Sequence, residues 1–375
     1  MSHTAPRNSG LDLVRALAIS LVLASHATML LGGHMNDTAR RLLLYLGGFF
    51  GVELFFVLSG YLIGTLLIKL FDTHPGRPPN AALWHFWQRR WWRTVPTYLL
   101  VVLLNMTLLA GWLHQHPIEL RHLLFLQNLT SANFAMMPES WSITVEEWFY
   151  LTLPLALSLG AALLSARTTK PKVIVYVLAS YIFLFTALRW GWVIYQDPHW
   201  DRGIRKAVLW RLDAIAWGCL VAWATYYHPR WLARHQHTLA GLGVALTLIG
   251  LLWLTHALLT HHVSVWLKGG LFSLASIGLA LTLPWWANHG QRLMPWQRVR
   301  ASITQLSLIS YSLYLFHLSV VIPLMRLPSV ERHLQGWPAV GVYLLLSLAL
   351  ATLVYYAYER PMTRQRERFT SYKQA

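Results

Sequence analysis

The chain has 375 residues, of which 55% are hydrophobic types and 12% are charged, with a mean hydropathy of +0.42. A soluble domain carries about 25% charged residues, so this composition excludes a disordered chain and an ordinary soluble enzyme and places most of the chain in a bilayer. The net charge of +17 does not indicate nucleic acid, because the basic residues sit between apolar runs rather than on one solvated patch; the single thiol, Cys219, excludes a structural disulfide and a cysteine zinc site.

A spanning helix needs about 20 mostly apolar residues. Ten such runs are predicted, at 11–32, 49–71, 95–113, 147–165, 172–195, 206–227, 238–259, 264–286, 303–325 and 338–358. The expected fold is therefore all-α, a polytopic membrane helix bundle forming one domain over 1–375, with its longest connections at 72–94 and 114–146. The first run is too long and too polar at its end for a signal-peptide core, and no convincing small-residue cleavage site follows it. With the N-terminus in the cytoplasm, most of the 31 Lys and Arg residues fall on the inner side, including Arg89, Arg90, Arg93, Arg167, Lys170 and the tail from Arg360 to Lys373. The positive-inside rule then puts both termini in the cytoplasm, and a bacterial cytoplasmic membrane is the expected location.

The first span carries Arg15 and His26. Eleven helical steps are about 16 Å of rise and about 20° past three full turns, so both side chains share a face, Arg15 toward the inner surface and His26 toward the outer. Glu53 enters the second span from outside, with Ser59 and Gly60 deeper; the spacings Gly47–Gly51 and Gly60–Gly64 suit close helix packing. The connection before the third span reads Phe86-Trp87-Gln88-Arg89-Arg90-Trp91-Trp92-Arg93. With Lys69 it makes a basic pocket at the inner surface, either a phosphate site formed by arginine forks or an anchor on anionic lipid. Its tryptophans, with Trp84, suit an interfacial belt or a platform for stacking a base.

Glu146 and Glu147 open the fourth span just after Trp141 and Ser142, Arg211 and Asp213 lie in the outer part of the sixth, and His317 lies in the outer part of the ninth, after Ser310, Tyr311, Ser312 and Tyr314. An ionisable group inside a span costs roughly 2.5–3.5 kcal/mol on insertion scales, so each is a functional candidate. At a similar depth they should converge on one polar cavity; the plainer reading is ion pairs that fix helix packing. Histidine supplies a general base near neutral pH, and a carboxylate beside it would orient the ring. Glu146, Glu147 or Glu53 could serve, and spacing does not choose among them. A metal enzyme is not expected: there is no His-Glu-x-x-His pattern, and His261-His262 and His114-x-His116 sit in outer loops. A transporter or permease for a lipid-linked or anionic solute would use the same buried charges, but no internal repeat supports inverted halves.

These segments together resemble the acyltransferase-3 family of integral membrane proteins. The carrying stretches are LDLVRALAISLVLASH, GVELFFVLSGYLIG, FWQRRWWRTVPTYLL, SWSITVEEWFYLTLP, WRLDAIAWGCL, ISYSLYLFH and YYAYERPM, in order over roughly residues 10–362. One departure is Tyr61 after Ser59-Gly60, where phenylalanine is commoner. Because the chain stops soon after the tenth run, it looks like a stand-alone member without a fused extracellular hydrolase-like domain. The resemblance implies transfer of an acyl group, usually acetyl, from acyl-CoA as co-substrate to a hydroxyl of a carbohydrate, lipid-linked glycan or related acceptor. It implies His26 as catalytic base with Arg15 as its partner, Arg89, Arg90 and Arg93 at the donor, and Glu146 or Glu147 in support; Arg15 is expected to join the donor-binding arginines. Ser59 and Gly60 match a segment of less certain role. The oligomeric state is left open.

Overall fold

The computed structural model describes residues 7–74, 77–113 and 116–369. His114 and the end of the tail invoked above, residues 370–373, lie outside the described residues. Among the described residues ten helices of 16 or more residues build the bundle: α1 (Ser9–Ala27), α2 (Asp37–Thr73), α3 (Asn80–Leu104), α4 (Ser140–Leu164), α5 (Lys170–Gln196), α6 (Leu212–Tyr227), α7 (Pro229–Thr260), α8 (Val265–His289), α9 (Gln297–Phe316) and α10 (Gly336–Val354). No strand occurs among the described residues. Among the described residues nine segments are long and apolar enough to cross a bilayer, which makes this a multi-pass membrane protein. Its outer surface agrees, with Phe183, Ile194, Leu252 and Leu345 each more than half exposed, as lipid-facing positions require.

Local chemistry starts the helices. The Asn8 side chain accepts hydrogen bonds from the Gly10 and Leu11 N–H groups, and Asn36 does the same for Thr38 and Ala39, satisfying donors that a helix start leaves orphaned. Two helices begin well before the apolar runs that signalled them. α2 starts at Asp37 rather than near 49, and α3 at Asn80 rather than near 95. The polar residues Arg40, Arg41 and Arg89–Arg93 therefore belong to helices rather than to connections.

The exception to spanning length is α6. Its 16 residues reach about 24 Å, short of a core of about 30 Å. It lies inside the bundle, packed most extensively on α2, while α7 packs on α8 and α1 lies between α2 and α9. Glycine allows the α2–α6 contact: a Cβ on Gly60 would lie 1.9 Å from the Ile215 carbonyl oxygen, and one on Gly218 2.1 Å from that of Val57. Gly60 is thus explained by backbone approach. Gly60→Ala is expected to destabilise the solubilised protein by about 1–3 kcal/mol or more, the usual cost of overpacking, read as a lowered thermal midpoint in detergent. Gly191→Ala, with nothing within 4 Å of the added methyl, should leave the midpoint where it was.

The polypeptide crosses from a face carrying Arg7 and Arg364, which line one vestibule, to an opposite face covered by two paired loops. Backbone hydrogen bonds from Ala132 to Arg202 (2.8 Å), Val208 to Asn128 (2.9 Å) and Leu209 to Leu129 (3.1 Å) join them. The Asn128 amide also donates to the Trp141 and Lys206 carbonyls. This lid fixes Glu139 and Arg205 over the ends of α4 and α1.

Candidate active site

α1 and α9 meet at the end remote from the termini, and there His26 Nδ1 lies 2.9 Å from His317 Nε2. His317 Nδ1 is 3.0 Å from the Leu313 carbonyl. A carbonyl only accepts, so Nδ1 of His317 carries the proton and its Nε2 is an acceptor. His26 must then donate from Nδ1, which leaves Nε2 of His26 unprotonated and without a hydrogen-bond partner among the described residues. Residues His317–Val321 form a π-helical turn, a local departure found often at functional sites. His317 is fully buried and His26 half-buried.

This pairing corrects an expectation. None of Glu146, Glu147 and Glu53 reaches His26. Glu146 accepts from Arg90 (3.2 Å) and from the Tyr150 hydroxyl (2.9 Å), and Tyr150 also bonds Arg90 (2.6 Å) and Ser59. Glu147 accepts from the Thr94 hydroxyl at 2.8 Å. The ring is oriented by a second imidazole, 291 residues away in sequence.

A cavity of about 140 Å³ runs among α1, α2, α3, α4 and α9, lined by Arg15, Ser59, Arg90, Arg93, Glu146 and Tyr311. Arg15 and Arg93 also line a vestibule of about 540 Å³ with Arg7, Asp12, Glu359 and Arg360, open at the face of the termini. Arg7 is paired with Asp12 at 2.6 Å and Arg90 with Glu146. Among the described residues Arg15 and Arg93 have no ion pair, although both face the cavity. Unpaired guanidinium groups at such depth are costly and suit an anionic guest bound by arginine forks. Arg89 is exposed and lines neither space, so the arginine run contributes its second and third members.

At the far end of the cavity stand Ser142 and Tyr314, whose hydroxyls are 2.6 Å apart. The Tyr314 ring lies 5.8 Å from that of His317, and its hydroxyl donates to the Glu139 carbonyl at 3.1 Å. His26 does not itself line the cavity; Tyr314 lines it and lies against His317, the partner of His26. Glu139, just ahead of α4, accepts from Ser319, while its Oε2 is buried without a partner. Burial pushes this carboxyl up to about 8.

The remaining candidates do not converge on this cavity. Glu53 pairs with Arg211 and accepts from Ser276 at 3.0 Å. Asp213 pairs with Arg189 at 2.7 Å and accepts from Thr186 and Ser273. All four charged groups are at most 1% exposed. They tie α2, α5, α6 and α8 together. The expected single polar cavity is thus divided: two histidines and the cavity beside them, and a separate closed ionic cluster. Arg189, Tyr150 and Glu139 were not singled out from sequence. Arg189 carried a visible signal, a lone arginine within the fifth apolar run.

Among the described residues no group of three metal-ligating side chains occurs. A family model described as "Acyltransferase domain" matches residues 8–356. The chain is 26% identical to O-acetyltransferase OatA of Staphylococcus aureus (strain NCTC 8325 / PS 47) over 347 residues, 85% of this chain and 53% of that protein. It is 23% identical to peptidoglycan O-acetyltransferase OatA of Listeria monocytogenes over 334 residues, 83% of this chain and 49% of that protein. Over 196 residues, 47% of this chain and 28% of the relative, it is 28% identical to the putative peptidoglycan O-acetyltransferase YrhL of Bacillus subtilis. The chain spans about half the length of the first two relatives. No solved structure matches it.

Proposed function

This chain belongs to the acyltransferase domain family matched over residues 8–356, and from that premise we propose that it is a membrane O-acetyltransferase using acetyl-CoA. The observation that carries the reading is the oriented imidazole pair, which leaves Nε2 of His26 free as a base beside an arginine-lined cavity. The relatives' printed names, O-acetyltransferase and peptidoglycan O-acetyltransferase, support acetyl as the group and a carbohydrate as the acceptor. The location that suits this is a bacterial cytoplasmic membrane with the vestibule facing the cytoplasm.

Acetyl-CoA enters by the vestibule, where Arg15 and Arg93 hold its phosphates. Its pantetheine arm follows the cavity past Ser59 and Tyr311, and the Tyr314 ring swings aside to admit the thioester. Nε2 of His26 takes the proton of the acceptor hydroxyl, the hydroxyl oxygen bonds to the thioester carbonyl carbon, and the carbon–sulfur bond breaks. The proton then passes from His26 to the departing thiolate. In this reading the transfer is direct. The imidazolium formed on the way is stabilised by the neutral Nε2 of His317, the part a carboxylate plays in other histidine pairs.

The test is reconstitution in liposomes with acetyl-labelled acetyl-CoA and a cell-wall glycan fraction. Free thiol should appear with a matching acetyl mass shift on the glycan. Solute accumulation with the thioester intact would overturn the reading in favour of a transporter. Arg15→Ala and Arg93→Ala are each expected to raise KM for acetyl-CoA about 10- to 100-fold, the scale of a lost hydrogen bond to a charged group. With S-acetyl pantetheine, which lacks the phosphates, the same variants should match the wild type.

A further inference from the structure

We propose that the mouth above His26, on the face remote from the termini, is a subsite for an anionic group carried by the acceptor, a sugar carboxylate or a glycan phosphate. This inference rests on the acetyltransferase reading and adds the chemical class of the acceptor. A cavity of about 400 Å³ opens there, lined by Thr28, Met29, Asp37, Arg40 and Arg41, so its wall begins two residues beyond His26. The Arg41 Nη1 reaches His261 at 3.0 Å, while its Nε is buried without a partner. Arg326 is exposed, has no carboxylate partner among the described residues, and donates to the Met29 carbonyl at 3.3 Å.

A second pair of cations stands behind this rim. A Cβ on Gly48 would meet Ser25 Oγ at 2.9 Å and Arg205 Nη2 at 3.5 Å, which places the Arg205 guanidinium beside the turn that carries His26. That guanidinium lies near the rings of Trp141 (5.4 Å) and Trp200 (5.8 Å), and its Nε is buried without a partner. Arg205 and Lys206 share one carboxylate, Asp201, at 2.8 and 2.6 Å, as Arg40 takes Asp37 at 2.7 Å. Five cations, Arg40, Arg41, Arg205, Lys206 and Arg326, are thus set against Asp37 and Asp201. Such a field attracts an anion to a cleft, and arginine forks bind carboxylate and phosphate oxygens alike.

The test is equilibrium binding to the His26→Ala protein, which reads the subsite apart from catalysis. The probes are N-acetylmuramic acid against its methyl ester, and N-acetylglucosamine 1-phosphate against N-acetylglucosamine. The inference expects at least one charged probe to bind about tenfold or more tightly than its neutral counterpart, with the advantage shrinking at high salt. The carboxylate and phosphate arms identify which source the site takes. Arg41→Gln with Arg326→Gln should abolish that advantage and leave the KM for acetyl-CoA in otherwise wild-type protein unchanged. Equal binding of charged and neutral probes, or an advantage that survives the double substitution, would overturn the subsite. Failure of acetyl transfer by the wild-type protein, with intact charge-selective binding, would instead count against the acetyltransferase reading.

Discussion

His26→Ala is expected to lower acetyl transfer by a factor of about 10²–10⁴, the range a positioned general base contributes, while leaving the helix bundle intact. The side chain is half-buried at the end of α1, and its side-chain hydrogen bond goes to His317, so its loss removes little packing. The variant should elute from gel filtration as the wild type does and keep its helical circular dichroism. His317→Phe keeps a ring of similar size but deletes the Nε2 acceptor, so the tautomer of His26 is no longer imposed; its rate should fall in the same direction with acetyl-CoA affinity preserved. Purified His26→Ala protein that acetylates at the wild-type rate would refute the base assignment, and His317→Phe with an unaltered rate would refute the orienting role.

The second large effect concerns stability. Glu53→Ala strands the Arg211 guanidinium at 0% exposure, where two of its nitrogens already lack partners. Removing one member of a buried pair costs about 3–5 kcal/mol, whereas replacing both with apolar side chains of similar volume is often neutral or better. Glu53→Ala should therefore lower the thermal midpoint sharply, and Glu53→Leu combined with Arg211→Met should recover most of it. If the double variant regains stability but not turnover, the cluster has a role in the reaction beyond joining α2 to α6. Recovery of both identifies it as a structural tie.

The membrane architecture was legible because a bilayer demands long apolar runs, and nearly every run became a helix. The ends were less so. Helices α2 and α3 extend well into segments with Arg40, Arg41 and Arg89–Arg93, where hydropathy falls but helical hydrogen bonding continues. The length of α6 was misread because residues 206–211 continue the apolar composition while the backbone there turns into the lid. At the site, the shared face of Arg15 and His26 followed from helical geometry alone. The partner of His26 did not, since nothing local records a contact 291 residues away. Glu146 looked available until Tyr150, one turn on, and Arg90 were seen to claim it. Glu53, Arg211 and Asp213 look the same in sequence whether they pair or face a substrate; Glu53 pairs with Arg211, and the partner of Asp213 is Arg189, a residue of another helix.

The thiol of Cys219 donates to the Gly60 carbonyl at 3.1 Å and is 1% exposed between α2 and α6, where the glycine contacts leave no room for a reagent. The native protein is in effect silent toward impermeant maleimides. Reporter cysteines placed at the rim near Arg326 or at the vestibule near Arg364 can therefore be read against a blank background, and the sidedness of each mouth becomes a labelling measurement on otherwise unaltered protein.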